Sequence, residues 1–173
     1  MTRLFYFICT AFAATITVAS ASFAQGDENA SAEAVARTYM AHYSAVEWDA
    51  MEVLLASNVV FSDPTAEGPE LGPEGILEHG RDAMMATLRE FGERYAPIEL
   101  GFEWDEVFTS NNRVIFIGHV NALYPTQSDG QNFMWRSEQV SVITVRDGLV
   151  IRHQDYANYA APEQSMVPIT DLD

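Results

Sequence analysis

Hydrophobic positions change their period once along this chain, and the change divides it into a helical front and a stranded back. Val35, Ala36, Tyr39, Met40, Tyr43 and Val46 recur three and four apart, the repeat of a helix that buries one face. A first helix is therefore predicted from Ala32, with Ser31 in the N-cap position. Tyr39 and Tyr43, one turn apart, share its buried stripe. A second short helix is expected over Trp48 to Ala56; Ser57-Asn58 breaks it, and a strand, Val59 to Ser62, follows. Pro64 to Gly80 holds three prolines and four glycines and reads as a loop. Gly80-Arg81-Asp82 then opens a third helix, Asp82 to Tyr95, with Met84, Met85, Leu88 and Phe91 on its apolar face and Pro97 beyond its end.

Past Pro97 the period shortens to two. Ile98 to Thr109, Arg113 to Tyr124, Asn132 to Arg146 and Leu149 to Tyr156 read as four strands. Asn111-Asn112 and Ser128-Asp129-Gly130 supply the first two turns, and Asp147-Gly148 is a strong two-residue hairpin signal. Helix, helix, short strand, helix and long meander predict an α+β domain whose helices cover one face of a curved antiparallel sheet.

The ends add an address. Leu4 to Val18 is an apolar stretch behind Arg3, short for a bilayer span, and Ser22-Phe23-Ala24 places small residues where a signal peptidase reads. Residues 1–24 are expected to be a signal peptide cleaved after Ala24, with Ala21 as the second choice. Residues 25–31 would be a flexible lead-in, 32–160 the folded domain and 161–173 a C-terminal tail. Cys9 lacks the small-residue pattern of a lipoprotein anchor and is the only cysteine, so cleavage leaves neither thiol nor disulfide. The expected product is periplasmic or secreted. Nine arginines, no lysine and 25 acids give a net charge of −16. Such a surface repels nucleic acid and anionic lipid, so neither is expected as a partner.

Chemistry concentrates at two carboxylates. Asp63 closes an apolar strand just before Pro64, at the rim of whatever that strand encloses, where partial desolvation makes an acid a usable base. Asp155 alternates with Ile151 and His153 on one face of the last strand, a face that turns either into a cavity or out to solvent. His153, two residues from Asp155, is open to tuning by it. Trp135 and Phe133 read as core or cavity wall. Gln139 and Ser141 alternate with Val140 and Val142. If the polar pair faces inward, the valines make an apolar outer face suited to a homodimer; the opposite register buries them. Asp63, Thr65, Glu67, Gly68 and Glu74 fall on positions 1, 3, 5, 6 and 12 of a calcium loop, but Pro64 and Pro69 interrupt it and a strand enters it. The four histidines show no i,i+4 pair. No metal and no cofactor are expected, and there is no phosphate-binding glycine loop or nucleophile elbow.

Over Ala32 to Tyr159 this order resembles the nuclear transport factor 2-like superfamily, shared by ketosteroid isomerases, SnoaL-like polyketide cyclases, scytalone dehydratases and limonene epoxide hydrolases. Ala45-Val46-Glu47-Trp48-Asp49, Asp63-Pro64, Gly80-Arg81-Asp82-Ala83-Met84 and Asp155-Tyr156 carry the resemblance. It implies a cone-shaped curved antiparallel sheet wrapped around three N-terminal helices. Ketosteroid isomerases polarise the substrate oxygen with a first-helix tyrosine and move the proton with the aspartate of an Asp-Pro; Tyr39 and Asp63-Pro64 stand at the same spacing. Ser141 falls where those enzymes keep a protonated aspartate. Limonene epoxide hydrolases use an arginine and an aspartate on the penultimate strand, where Gln139 and Ser141 stand here, and an aspartate on the last, which Asp155 matches. SnoaL-like cyclases rely on a cavity-facing aspartate in this late region, with which Asp155 is compatible.

The resemblance thus implies a cofactor-independent enzyme acting on a small apolar carbonyl-type molecule. Asp63 would be the acid–base, Tyr39 the oxyanion donor and Asp155 a second acid–base or water-orienting group. His153, Trp135, Tyr43 and Ser141 would meet the ligand. Isomerisation, dehydration, aldol-type cyclisation and hydrolysis all stay open, as does a non-catalytic ligand-binding or assembly domain on the same cone. Cleavage as expected gives a product beginning at Gln25 by mass analysis of protein recovered from the periplasm or medium. Full-length chain retained in the cytosol would refute export.

Overall fold

The computed structural model describes residues 17–68, 71–127 and 130–169; most of the expected signal peptide, residues 1–16, lies outside them. The first helix, α1, spans Thr17–Ser44 and so runs through the segment expected as a flexible lead-in and past Ser31, which is not a cap. Alanines at 19, 21, 24, 30, 32 and 34, the strongest helix formers, account for this. α1 ends where Val46 turns left-handed (φ 60°). There the Glu47 N–H reaches back to the His42 carbonyl at 2.9 Å, the bond of a Schellman-type stop.

Helix α2 is only Trp48–Glu52, shorter than expected, because Leu54 and Leu55 are drawn toward the sheet. Strand β1, Leu55–Asp63, follows. The proline- and glycine-rich loop contains a short strand, β2, Ile76–His79, antiparallel to β1. Helix α3 spans Arg81–Tyr95, and the meander is β3 (Glu99–Ser110), β4 (Arg113–Pro125), β5 (Gln131–Arg146) and β6 (Leu149–Ala157). Within the expected C-terminal tail lies a further strand, β7, Glu163–Pro168. Asn111 and Asn112 (φ 48° and 59°) and Asp147 and Gly148 (φ 52° and 77°) have the paired positive φ of two-residue hairpins.

The strands form one sheet in the order β2-β1-β6-β5-β4-β3. All neighbours are antiparallel except β1 and β6, which run parallel. One edge of β5 carries β4 along its length; the other carries β6 over Gln139–Arg146 and β7 over Gln131–Arg136. Register shifts at Leu55/Val60, Trp104/Glu106 and Thr144/Val145 bend the sheet. α1 lies across β3, β4, β5 and β6 and α3 across β1. Their apolar stripes meet the inner face in a core built around Ala36, Tyr39, Met51, Met84, Phe116 and Ile143. The fold is the α+β layout expected from the strand pattern, curved into the cone that the family resemblance implies.

Gly118 sits opposite the Trp104/Glu106 bulge, and a Cβ there would lie 1.9 Å from the Glu103 carbonyl oxygen. Because the obstacle is backbone, Gly118→Ala is expected to destabilise the protein by about 2–3 kcal/mol in chemical denaturation. A loss below roughly 0.5 kcal/mol would show that the bulge yields.

Candidate functional site

Register places the acids. β1 pairs with β6 so that Phe61 faces His153 and Ser62 faces Gln154; one step further along both parallel strands come Asp63 and Asp155. β5 pairs with β6 so that Ser141 faces Asp155 and Ile143 faces His153. Asp63, Asp155 and Ser141 therefore form one row across three strands, on the inner face, with Phe61, His153 and Ile143 in the row beneath. All six are buried.

A cavity of about 580 Å³ opens on this row, between the sheet, α1 and α3. Asp63, Asp155, Gln139, Tyr43, Trp135 and Tyr159 are among the residues that line it. Tyr39, His153 and Ser141 are not; they lie behind the wall, each fully buried. The reason is spacing along α1. One turn separates Tyr39 from Tyr43; the earlier tyrosine packs into the core and the later one reaches the cavity.

The buried groups form one hydrogen-bonded chain. Gln139 Nε2 donates to Ser141 Oγ (2.9 Å), and Ser141 Oγ donates to Asp155 Oδ1 (2.5 Å). His153 Nε2 lies 2.9 Å from the same oxygen, and His153 Nδ1 lies 2.8 Å from the Tyr39 hydroxyl. Only one proton arrangement satisfies every group: Tyr39 O–H donates to Nδ1, and Nε2–H donates to Asp155. An imidazolium would make both nitrogens donors and leave the buried Tyr39 proton without an acceptor, at a cost of about 1–3 kcal/mol. Asp155 Oδ2 accepts no hydrogen bond among the described residues and belongs to a side chain on the cavity wall.

Asp63 is held differently. Its Oδ1 accepts from the Thr65 N–H (3.0 Å) and the Thr65 hydroxyl (2.6 Å), and its Oδ2 accepts from Tyr159 (2.8 Å). The Thr65 hydroxyl in turn accepts from the Ala157 N–H (2.8 Å), which fixes the direction of its own proton toward Asp63. Gly75 closes over the same turn: its φ is +65°, and a Cβ there would lie 2.1 Å from the Asp63 carbonyl oxygen.

Tyr43 is 8% exposed, and among the described residues its hydroxyl has no hydrogen-bond partner. Its ring stacks on Phe102 and meets His153 edge-on. Burial, then the charge of Asp155, push the Tyr39 and Tyr43 hydroxyls well above the ordinary tyrosine range. Burial and then Asp63 do the same to Tyr159. All three therefore keep their protons at physiological pH and act as donors.

Sequence reasoning named Asp63, Asp155, Tyr43 and Trp135, and the structure brings these four to one cavity. It missed Thr65 and Tyr159. Asp63-Pro64-Thr65 has the form of an Asx turn, a local signal that could have found Thr65. Tyr159 sits beyond the last strand of the meander, where no periodicity marks it. Among the described residues no cluster of His, Cys, Asp or Glu could hold a metal, and no helix is long and apolar enough to cross a membrane.

No curated protein sequence matches the chain. Solved structures match it in fold. The Δ5-3-ketosteroid isomerase from a Mycobacterium species is 20% identical, with a TM-score of 0.62 over 78% of this chain and 98% of its own. A Shewanella denitrificans protein assigned by likeness to SnoaL-like polyketide cyclases is 16% identical, with a TM-score of 0.62 over 75% and 91%. A nuclear transport factor 2-like protein from Burkholderia xenovorans is 18% identical, with a TM-score of 0.54 over 77% and 93%. At such identities the likeness is one of fold. The profile of the SnoaL-like domain matches residues 36–153. The chain belongs to the SnoaL-like domain family, on the nuclear transport factor 2-like cone.

Proposed function

We propose that this protein is an exported, cofactor-independent acid–base catalyst that takes a small, mostly apolar molecule bearing a carbonyl or similarly activated group into the cone. One observation carries the reading: Asp155, on the cavity wall, is fixed through Oδ1 by Ser141 and His153 while Oδ2 accepts no hydrogen bond from the described residues. A positioned carboxylate with one free oxygen in an apolar cavity is the arrangement a general base requires. Asp63, the base expected from the isomerase spacing, has an acceptor bond on both oxygens and serves as the second acid–base group beside it.

In the proposed step Asp155 Oδ2 takes a proton from carbon alpha to the carbonyl. The C–H electron pair moves toward the carbonyl oxygen, and the Tyr43 hydroxyl donates to the charge that develops there. Return of that proton from Asp155 Oδ2 to another carbon completes an isomerisation. Its delivery instead to a β-hydroxyl, which leaves as water, gives dehydration. Tyr39, whose spacing suggested the oxyanion role, acts through His153 as a positioning residue. A second reading, a binding domain without turnover, draws on Asp63: three donors on its two oxygens are what an anchor needs.

The test is hydrogen–deuterium exchange at the alpha carbon of a lipophilic ketone such as 4-phenylbutan-2-one, followed by NMR in D2O. Exchange is expected to fall about 10²–10⁴-fold in Asp155→Asn, and by a smaller factor in Tyr39→Phe with ketone binding unchanged. Absence of exchange above buffer by wild type across ketones, lactones and epoxides, with binding intact, would leave the binding domain.

The reading includes a homodimer through the outer sheet face. Gln139 and Ser141 face inward, so Val140 and Val142 turn outward beside Ile115 and Ile117, all half-buried, with Phe108 48% and Tyr156 39% exposed at the margins. Sedimentation should give twice the chain mass for wild type and the single-chain mass for Val140→Asp. A monomeric wild type at tens of micromolar would remove the dimer.

A further inference from the structure

Neither carboxylate in the cavity is matched to a cation. Asp63 and Asp155 are each 4% exposed. Among the described residues Asp63 has no ion pair, and Asp155 pairs only with His153, whose hydrogen bonds require the neutral ring. The one cation among the described lining residues, Arg94, is exposed and lies over the Tyr95 ring at 5.4 Å. Buried charge without a counter-charge is expensive, and these two acids stand abreast on neighbouring strands, where like charges oppose each other.

A shared proton is the usual relief, and the surroundings work against it. The Thr65 N–H can only donate, and the Thr65 hydroxyl, already accepting from Ala157, must direct its proton to Asp63. Ser141 accepts from Gln139 and so donates to Asp155, as does Nε2–H of neutral His153. Three donors on Asp63 and two on Asp155 Oδ1 suit ionised carboxylates, and Asp155 Oδ2 is left for a donor on the ligand. Nine of the lining residues are aromatic, including Tyr43, Phe61, Phe102, Phe133, Trp135 and Tyr159. Aromatic faces beside paired anions suit a desolvated organic cation. The net charge of −16 draws cations toward the mouth.

We propose that the ligand of this cavity is a lipophilic amine, bound as the ammonium, with its cationic end against Asp63 and Asp155 and its apolar body among the rings. The proposal rests on the reading of the cavity as a small-molecule site and is independent of whether a proton is transferred there. It narrows the substrate class to molecules that carry a basic nitrogen beside the activated group.

Three probes that share one body and differ at the end test it: 4-phenylbutylamine, 4-phenylbutan-1-ol and 4-phenylbutyrate. Their affinities for the mature protein are read by calorimetry. The ammonium should bind about tenfold or more tightly than the alcohol, and the carboxylate weakest. Asp63→Asn and Asp155→Asn should each shrink the preference, and the charge-preserving Asp155→Glu should retain it, with melting curves certifying that each variant is folded. An alcohol that binds wild type as tightly as the ammonium overturns the proposal, whatever the variants do. Ammonium preference without alpha-proton exchange would sink the catalytic reading alone; exchange without ammonium preference would sink this one alone.

Discussion

The parallel pairing of β1 with β6 is the constraint on which the site depends. In an otherwise antiparallel sheet it joins the first strand to the last of the meander. Because the two run in the same direction, equivalent steps along each bring side chains level on the same face. Phe61 meets His153, and Asp63 comes abreast of Asp155. A slip of one residue would turn the whole inner set to the other face, bringing Ser62 and Gln154 to the inner face in place of the acids. The helices depend on the same pairing, since α3 packs on β1 while α1 packs on the other strands.

Upon that row the protein builds two unlike environments for one functional group. Asp155 is attached to a chain running back through His153 to Tyr39 on α1, so its orientation is set by the core. Asp63 is held by its own turn, through Thr65, and by Tyr159. One acid is positioned by long-range packing alone, the other by its own turn together with a long-range bond from Tyr159. Buried polar groups that are fully paired rigidify what surrounds them, and among the described residues the cavity wall keeps Asp155 Oδ2 and the Tyr43 hydroxyl without a hydrogen-bond partner.

Most of the fold was legible because periodicity is a local property. The apolar stripe of α1, the Asp147-Gly148 turn and the alternation of Gln139 and Ser141 with Val140 and Val142 each speak within a few residues. What escaped notice was short or lay among turn formers: β2 has four residues within a stretch of prolines and glycines, and β7 has six with no apolar alternation. In the site, sequence located the carboxylates but not their partners. Tyr39 and Tyr43 carry the same periodic signal, and only tertiary placement separates a core hydroxyl spent on His153 from one left open to the cavity. The family spacing singled out Tyr39; the wall of the cone runs between the two.

The hydrogen bonds that define the site close large loops. Tyr39 to His153 spans 114 residues and Asp63 to Tyr159 spans 96. Loop closure on that scale is paid in chain entropy before any contact repays it, so these contacts complete the fold rather than seed it. No fragment ending before β6 contains both acids, and none ending before Tyr159 holds Asp63 as the whole chain does. The row of acids, with the partners that hold it, is therefore complete only in the whole folded domain.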